Sequence, residues 1–170
     1  VIAAGNDSAN DPDAFALIAN DTAAARGLVL VAGATDATGA LASFSNKAGV
    51  AATQYIATLG DRVRAFDHNG TAFLYSGTSY ATPGIAGAAA LLFDAFPNLT
   101  AAQVVDLLLR STDDAGAAGT DAVYGRGVLN LSRAFQPQGA TSLAGSAIAL
   151  SSLGASQMAT ALGAPTALAA

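Results

Sequence analysis

The 170-residue chain has no cysteine, which excludes disulfides and thiolate metal sites but does not fix a redox compartment. It has no glutamate either. All 12 acidic residues are aspartates, a single lysine stands among the seven basic residues, and the net charge is −5. A surface this sparse in positive charge argues against nucleic acid or an anionic membrane as a partner. No stretch reaches the roughly 18 consecutive apolar residues that suggest a membrane span. The opening residues Val1-Ile2-Ala3-Ala4-Gly5-Asn6 lack the basic region and long apolar run of a signal peptide. The length suits one domain able to bury a core of its own.

Turn signals divide the rest. Residues 1–5 read as the end of a buried strand with no turn before them, so the chain is expected to be a fragment of a longer protein. Residues 6–20, rich in Asp, Asn and Ala, read as a loop with a short helix. Residues 27–33 form a continuous apolar run, the pattern of a parallel strand covered on both faces, and are expected to lie beside residues 1–5. Residues 36–39 are a turn, residues 41–45 read as a strand, and residues 53–59 as another. Asp67-His68-Asn69-Gly70 is a turn leading into a strand over 71–76. An Ala-rich helix is expected over 78–96. After Pro97 a second helix opens on a capping box, Thr100 with Gln103, ahead of Val104, Leu107 and Leu108 on one face. Residues 124–130 read as a turn and a short apolar piece. From Gly139 onward no residue is charged; 1–138 is read as domain and 139–170 as a linker or the start of another region.

The most specific signal is Gly77-Thr78-Ser79-Tyr80-Ala81-Thr82-Pro83-Gly84-Ile85-Ala86-Gly87. It describes a sharp turn feeding a helix. Gly77 permits the turn. Ser79 falls in the first helical turn, where unpaired N–H groups and the positive end of the helix dipole favour a developing negative charge. Pro83 has no N–H, so the Ser79 carbonyl loses its usual helical partner. A hydroxyl beside ready-made anion donors is what acyl transfer requires. A serine acting only as a helix cap would need no such pattern of Gly-Thr-Ser, Ala, Pro and Ala-Gly.

The motif resembles the serine-nucleophile segment of the subtilisin-like serine proteases, Gly-Thr-Ser-x-Ala-x-Pro-x-x-Ala-Gly, with Tyr80 where Met is usual and Gly84 where His is usual. Three further stretches follow in the family's order: Ala3-Ala4-Gly5-Asn6, then Gly33-Ala34-Thr35-Asp36 with Ala42-Ser43-Phe44-Ser45-Asn46, and Tyr124-Gly125-x-Gly127-x-x-Asn130. The resemblance spans residues 1 to about 135. It implies an α/β fold, a partial parallel sheet with helices on both faces. It implies peptide-bond hydrolysis through an acyl-enzyme on Ser79, with Asn6 as a side-chain donor to the oxyanion. Ala3, Ala4 and Gly5 would line one wall of the pocket for the residue before the scissile bond. Protein or peptide is then the substrate, no cofactor is required, calcium is left open because many relatives bind it, and the closest style is bacterial secreted or autotransported members.

The family's chain order is Asp, His, Ser, with the first two ahead of the oxyanion Asn. Nothing in this chain matches them. The one histidine, His68, sits in a turn without the family's surrounding motif, and Asp36 and Asp67 also read as turn residues. The chain alone is therefore expected to be inactive. Two other classes compete. One is a non-catalytic relative that binds peptide or serves a structural part. The other is a dinucleotide-binding domain built on residues 29–39, which would need its glycine turn to open a helix.

Overall fold

The computed structural model describes residues 1–136; the tail read as a linker, and the boundary at 138, lie outside the described residues. Three short parallel strands form the central sheet in the order β1 (Ile2–Ala3), β2 (Val31–Thr35), β3 (Tyr55–Leu59). Ile2 is in register with Val31, and Val31 with Tyr55. The opening residues thus do lie beside the apolar run, which is the middle strand, although its ladder begins at Val31 and extends to Thr35.

Alternation along β2 and β3 sends successive side chains to opposite faces. Ala32, Ala34 and Ile56 join one core with Ala81, Ile85, Ala88 and Leu92 of helix α1 (Thr78–Ala95) and Val104 and Leu108 of helix α2 (Ala101–Arg110). Those four α1 positions repeat at helical spacing and form its buried stripe. Val31, Tyr55 and Ala57 join a second core with Ala16, Ala19, Ala48 and Ala51. These alanines come from, or directly precede, two 3-10 helices, Ala16–Asn20 and Gly49–Gln54. Helices therefore cover both faces, α-helices on one and 3-10 turns on the other.

The capping box on α2 forms as expected: Gln103 N–H donates to Thr100 Oγ1 at 3.3 Å, and Thr100 N–H donates to Gln103 Oε1 at 2.8 Å. A short helix α3 (Leu131–Ala134) follows the 124–130 turn, whose Val128 bridges Ala57 in parallel at the outer side of β3.

One expected strand is absent. Only Leu41 pairs, in a single antiparallel bridge to Thr35. Residues 42–45 turn instead, because Ser45 N–H bonds to Ala42 O and the Ser45 hydroxyl accepts Ala34 N–H at 3.0 Å. The same turn excludes a dinucleotide loop, since the segment after Gly39 opens no helix. Sequence reading also left out β4 (Val63–Phe66), which pairs antiparallel with β5 (Ala72–Tyr75) in a two-stranded hairpin.

Candidate active site

The end of β1 and the start of α1 meet. Gly5 follows the strand at φ +110°, and a Cβ there would lie 2.5 Å from Asp13 Cγ and closer still to Asn46 Nδ2. Only glycine fits. This bend presents Asn6, whose backbone lies between a buried Gly5 and an exposed Asp7.

Asn6 is held by Thr78. Its Oδ1 accepts from Thr78 N–H at 2.8 Å and from Thr78 Oγ1–H at 3.0 Å. Thr78 Oγ1 in turn accepts from the buried Gly5 N–H at 3.2 Å. A backbone N–H can only donate, so chemistry fixes which end of the Asn6 amide is oxygen. The oxygen is committed inward. The Nδ2 donors are left for another acceptor, and Nδ2 lies 3.7 Å from where a Cβ on Gly77 would be.

Gly77 enters the helix at φ 156° and ψ 152°, a region open essentially to glycine. The turn is tied down at its base. Gly77 N–H donates to Gly60 O at 2.8 Å, Ser76 Oγ–H to Asp61 Oδ1 at 2.5 Å, and Arg62 N–H to Ser76 Oγ at 3.1 Å. Ser79 is then the second residue of α1, exposed, with no hydrogen bond on its hydroxyl among the described residues. Its N–H belongs to the first-turn donors that lack a helical carbonyl. The exposed Ser79, the free N–H groups of the helix start and the Asn6 amide, locked to the neighbouring Thr78, thus gather at one turn.

The departures from the usual motif are accommodated by packing. Tyr80 stacks on Tyr75 with ring centroids 5.2 Å apart and 15° between planes. A Cβ on Gly84 would meet only Thr58 Cγ2, at an ordinary 3.5 Å. Pro83 lies inside α1, and Thr82 Oγ1–H donates to Thr78 O at 2.9 Å.

Of the residues expected to line the substrate pocket, Ala3 is half-buried at the end of β1, and Ala4 and Gly5 are buried. His68 is exposed in the tip of the β4–β5 hairpin, with the length of β5 between it and the Ser76–Gly77 base. Four extended residues span about 13 Å, beyond hydrogen-bond reach of Ser79. Asp67 Oδ1 caps that tip, accepting Asn69 N–H at 2.9 Å and Thr71 N–H at 2.8 Å. Asp36 does the same in its own turn, and hydrogen bonds from the Thr38 hydroxyl and N–H hold its carboxyl below the usual range. Among the described residues no three acidic or imidazole side chains converge to hold a metal, and no helix is long and apolar enough to cross a membrane.

Sequence reasoning missed Asn46, which is 1% exposed and bonded to the chain on both sides of Asn6, and the part played by Thr78. Both stand in the matching motifs, but neither motif by itself shows what the residue bonds. Thr78 lies 72 residues from Asn6, and the two meet only when the sheet forms.

Comparison with known proteins agrees with this fold. Over 141 residues the chain is 34% identical to serotype-specific antigen 1 of Mannheimia haemolytica, covering 79% of this chain and 15% of that protein. It is 36% identical over 107 residues to subtilisin NAT of Bacillus subtilis subsp. natto, covering 63% of this chain and 26% of that one. The solved self-cleaved protease domain of PatA superposes with a TM-score of 0.65 at 30% identity, over 79% of this chain and 49% of that one. The chain therefore spans under a third of these curated relatives and about half of the solved domain. The model of the subtilase family matches residues 1–127. On that match, which takes in the end of β1, the sheet and the whole serine turn, the chain belongs to the subtilase family.

Proposed function

We propose that this chain supplies the nucleophile and the oxyanion donors of a serine endopeptidase. Ser79 Oγ attacks the carbonyl carbon of a peptide bond. The carbonyl oxygen takes up the negative charge and receives hydrogen bonds from Asn6 Nδ2–H and Ser79 N–H. Collapse of the tetrahedral species expels the amine and leaves an ester on Ser79, which water then cleaves. The proton on Ser79 Oγ needs a base. His68 is out of reach at the hairpin tip, so the base and its acidic partner come from other residues of the parent protein. Ala3, Ala4 and Gly5 form the wall beside the residue before the scissile bond. The chemistry requires no cofactor, the substrate is protein or peptide, and export from a bacterial cell goes with the family resemblance.

The observation that carries this reading is the orientation of Asn6. Its oxygen is spent on Thr78, which leaves its N–H groups beside an exposed serine at a helix start. Asn6→Ala in the parent protein tests it. The donor acts chiefly once the oxyanion exists, so kcat should fall by about 10²–10³ with little change in KM, the size that loss of one such donor costs in subtilisin. A kcat within about threefold of the parent would make Asn6 a turn residue only.

A further inference from the structure

We propose that Asn46 is a positioning residue for the oxyanion donor: it brackets Asn6 from both sides and fixes where its amide points. The proposal rests on the peptidase reading above. Asn46 is 1% exposed. Before Asn6, its backbone N–H donates to Gly5 O at 3.0 Å and its Nδ2 donates to Ala4 O at 3.2 Å. After Asn6, its Oδ1 accepts Asp7 N–H at 2.9 Å and Ala9 N–H at 3.0 Å. Its second Nδ2 partner is Asp13 Oδ1 at 2.9 Å, and Asp13 N–H returns to Ala4 O at 2.8 Å. Asn46 is itself anchored on the sheet, because its carbonyl accepts the Tyr55 hydroxyl at 2.8 Å.

This geometry asks for an amide and nothing else. The side toward Asp7 and Ala9 needs an acceptor; the side toward Ala4 and Asp13 needs a donor. A carboxylate would place acceptor against acceptor, with a second charge facing Asp13. Segment 4–9 would then relax, and Asn6 Nδ2 with it. Displacement of a catalytic group by about 1 Å costs rate on the order of 10²-fold. The backbone bonds that hold the pocket wall, Asn46 N–H to Gly5 O and Asp13 N–H to Ala4 O, survive this substitution, so the loss belongs mainly in kcat.

The test is made in the full-length parent. Asn46→Asp should lower kcat at least tenfold with KM within threefold. Adding Asp13→Asn restores a donor–acceptor pair at the Asp13 contact, while Ala4 O still lacks its donor, and should recover part of the loss. In an Asn6→Ala background, Asn46→Asp should cost less than threefold more, because the donor it positions is gone. Should Asn46→Asp fail to fold, Asp13→Ala removes one acceptor at an exposed residue. It should lower kcat severalfold in the parent and not in the Asn6→Ala background. Equal losses in both backgrounds, no recovery on adding Asp13→Asn, or an unchanged kcat would overturn the proposal. Labelling of Ser79 by a fluorophosphonate separates the two levels. No labelling in the parent overturns the peptidase reading, whereas normal labelling with an indifferent Asn46→Asp overturns only the role of Asn46.

Discussion

Replacing Thr78 by valine tests the lock between β1 and α1. Valine keeps the branched shape and removes only the hydroxyl, so no cavity opens in a site that is 0% exposed. Two contacts go. The buried Gly5 N–H loses its acceptor at 3.2 Å, and Asn6 Oδ1 loses one of two donors while keeping the Thr78 N–H. An orphaned buried N–H costs about 1–3 kcal/mol, and the Asn6 contact adds little because its oxygen stays bonded and can reach water. The expected loss is about 2 kcal/mol, measured by guanidinium denaturation of the full-length parent. Catalysis should suffer as well. With one anchor instead of two the Asn6 amide is less fixed, and kcat should drop about tenfold with KM nearly constant. Thr78→Ser keeps the hydroxyl and should retain most of both. If Thr78→Val is as stable and as fast as the parent, the hydroxyl does not hold Asn6 and the reasoning fails.

Two more outcomes follow from the second core. A Cβ on Gly33 would overlap the Tyr55 hydroxyl and approach Tyr55 Cε1 to 2.7 Å, so Gly33→Ala should destabilise by about 3 kcal/mol; Gly33→Ala on top of Tyr55→Phe should cost less than the sum of the two, and strict additivity in denaturation midpoints would refute the contact. Burial pushes the Tyr55 hydroxyl from 10.0 up to about 12, so the unfolded chain ionises first and stability is full below pH 10 and lost as pH rises from 10 to 12. The loss should total about 3 kcal/mol, read as the difference in alkaline slope between the parent and Tyr55→Phe, and equal slopes would contradict it.

The sequence carried what is local and periodic. The apolar run over 27–33, the capping box at Thr100 and Gln103, and the glycine-flanked turn into α1 each announce themselves within about ten residues. It misled where a short apolar run could be strand or turn. Residues 41–45 have the composition of a strand, but the Ser45 hydroxyl competes for Ala34 N–H and bends the segment back. β4 went unread although Val63-Arg64-Ala65-Phe66 alternates and is followed by Asp67-His68-Asn69-Gly70, the usual layout of a hairpin. At the site, Ser79 and Asn6 were legible through motif resemblance. The lock on Asn6 was not, because Thr78 bonds the Asn6 side chain 72 residues away and Asn46 bonds backbone groups about 40 residues away, contacts that the motifs alone do not show.

The most direct test of the central claim is active-site labelling of the full-length parent. A fluorophosphonate should form a covalent bond with Ser79 alone, identified by mass spectrometry of the labelled peptide. Ser79→Ala should abolish labelling and hydrolysis, and Asn6→Ala should leave slow labelling of the same serine. Labelling elsewhere, or hydrolysis that survives Ser79→Ala, would contradict the account.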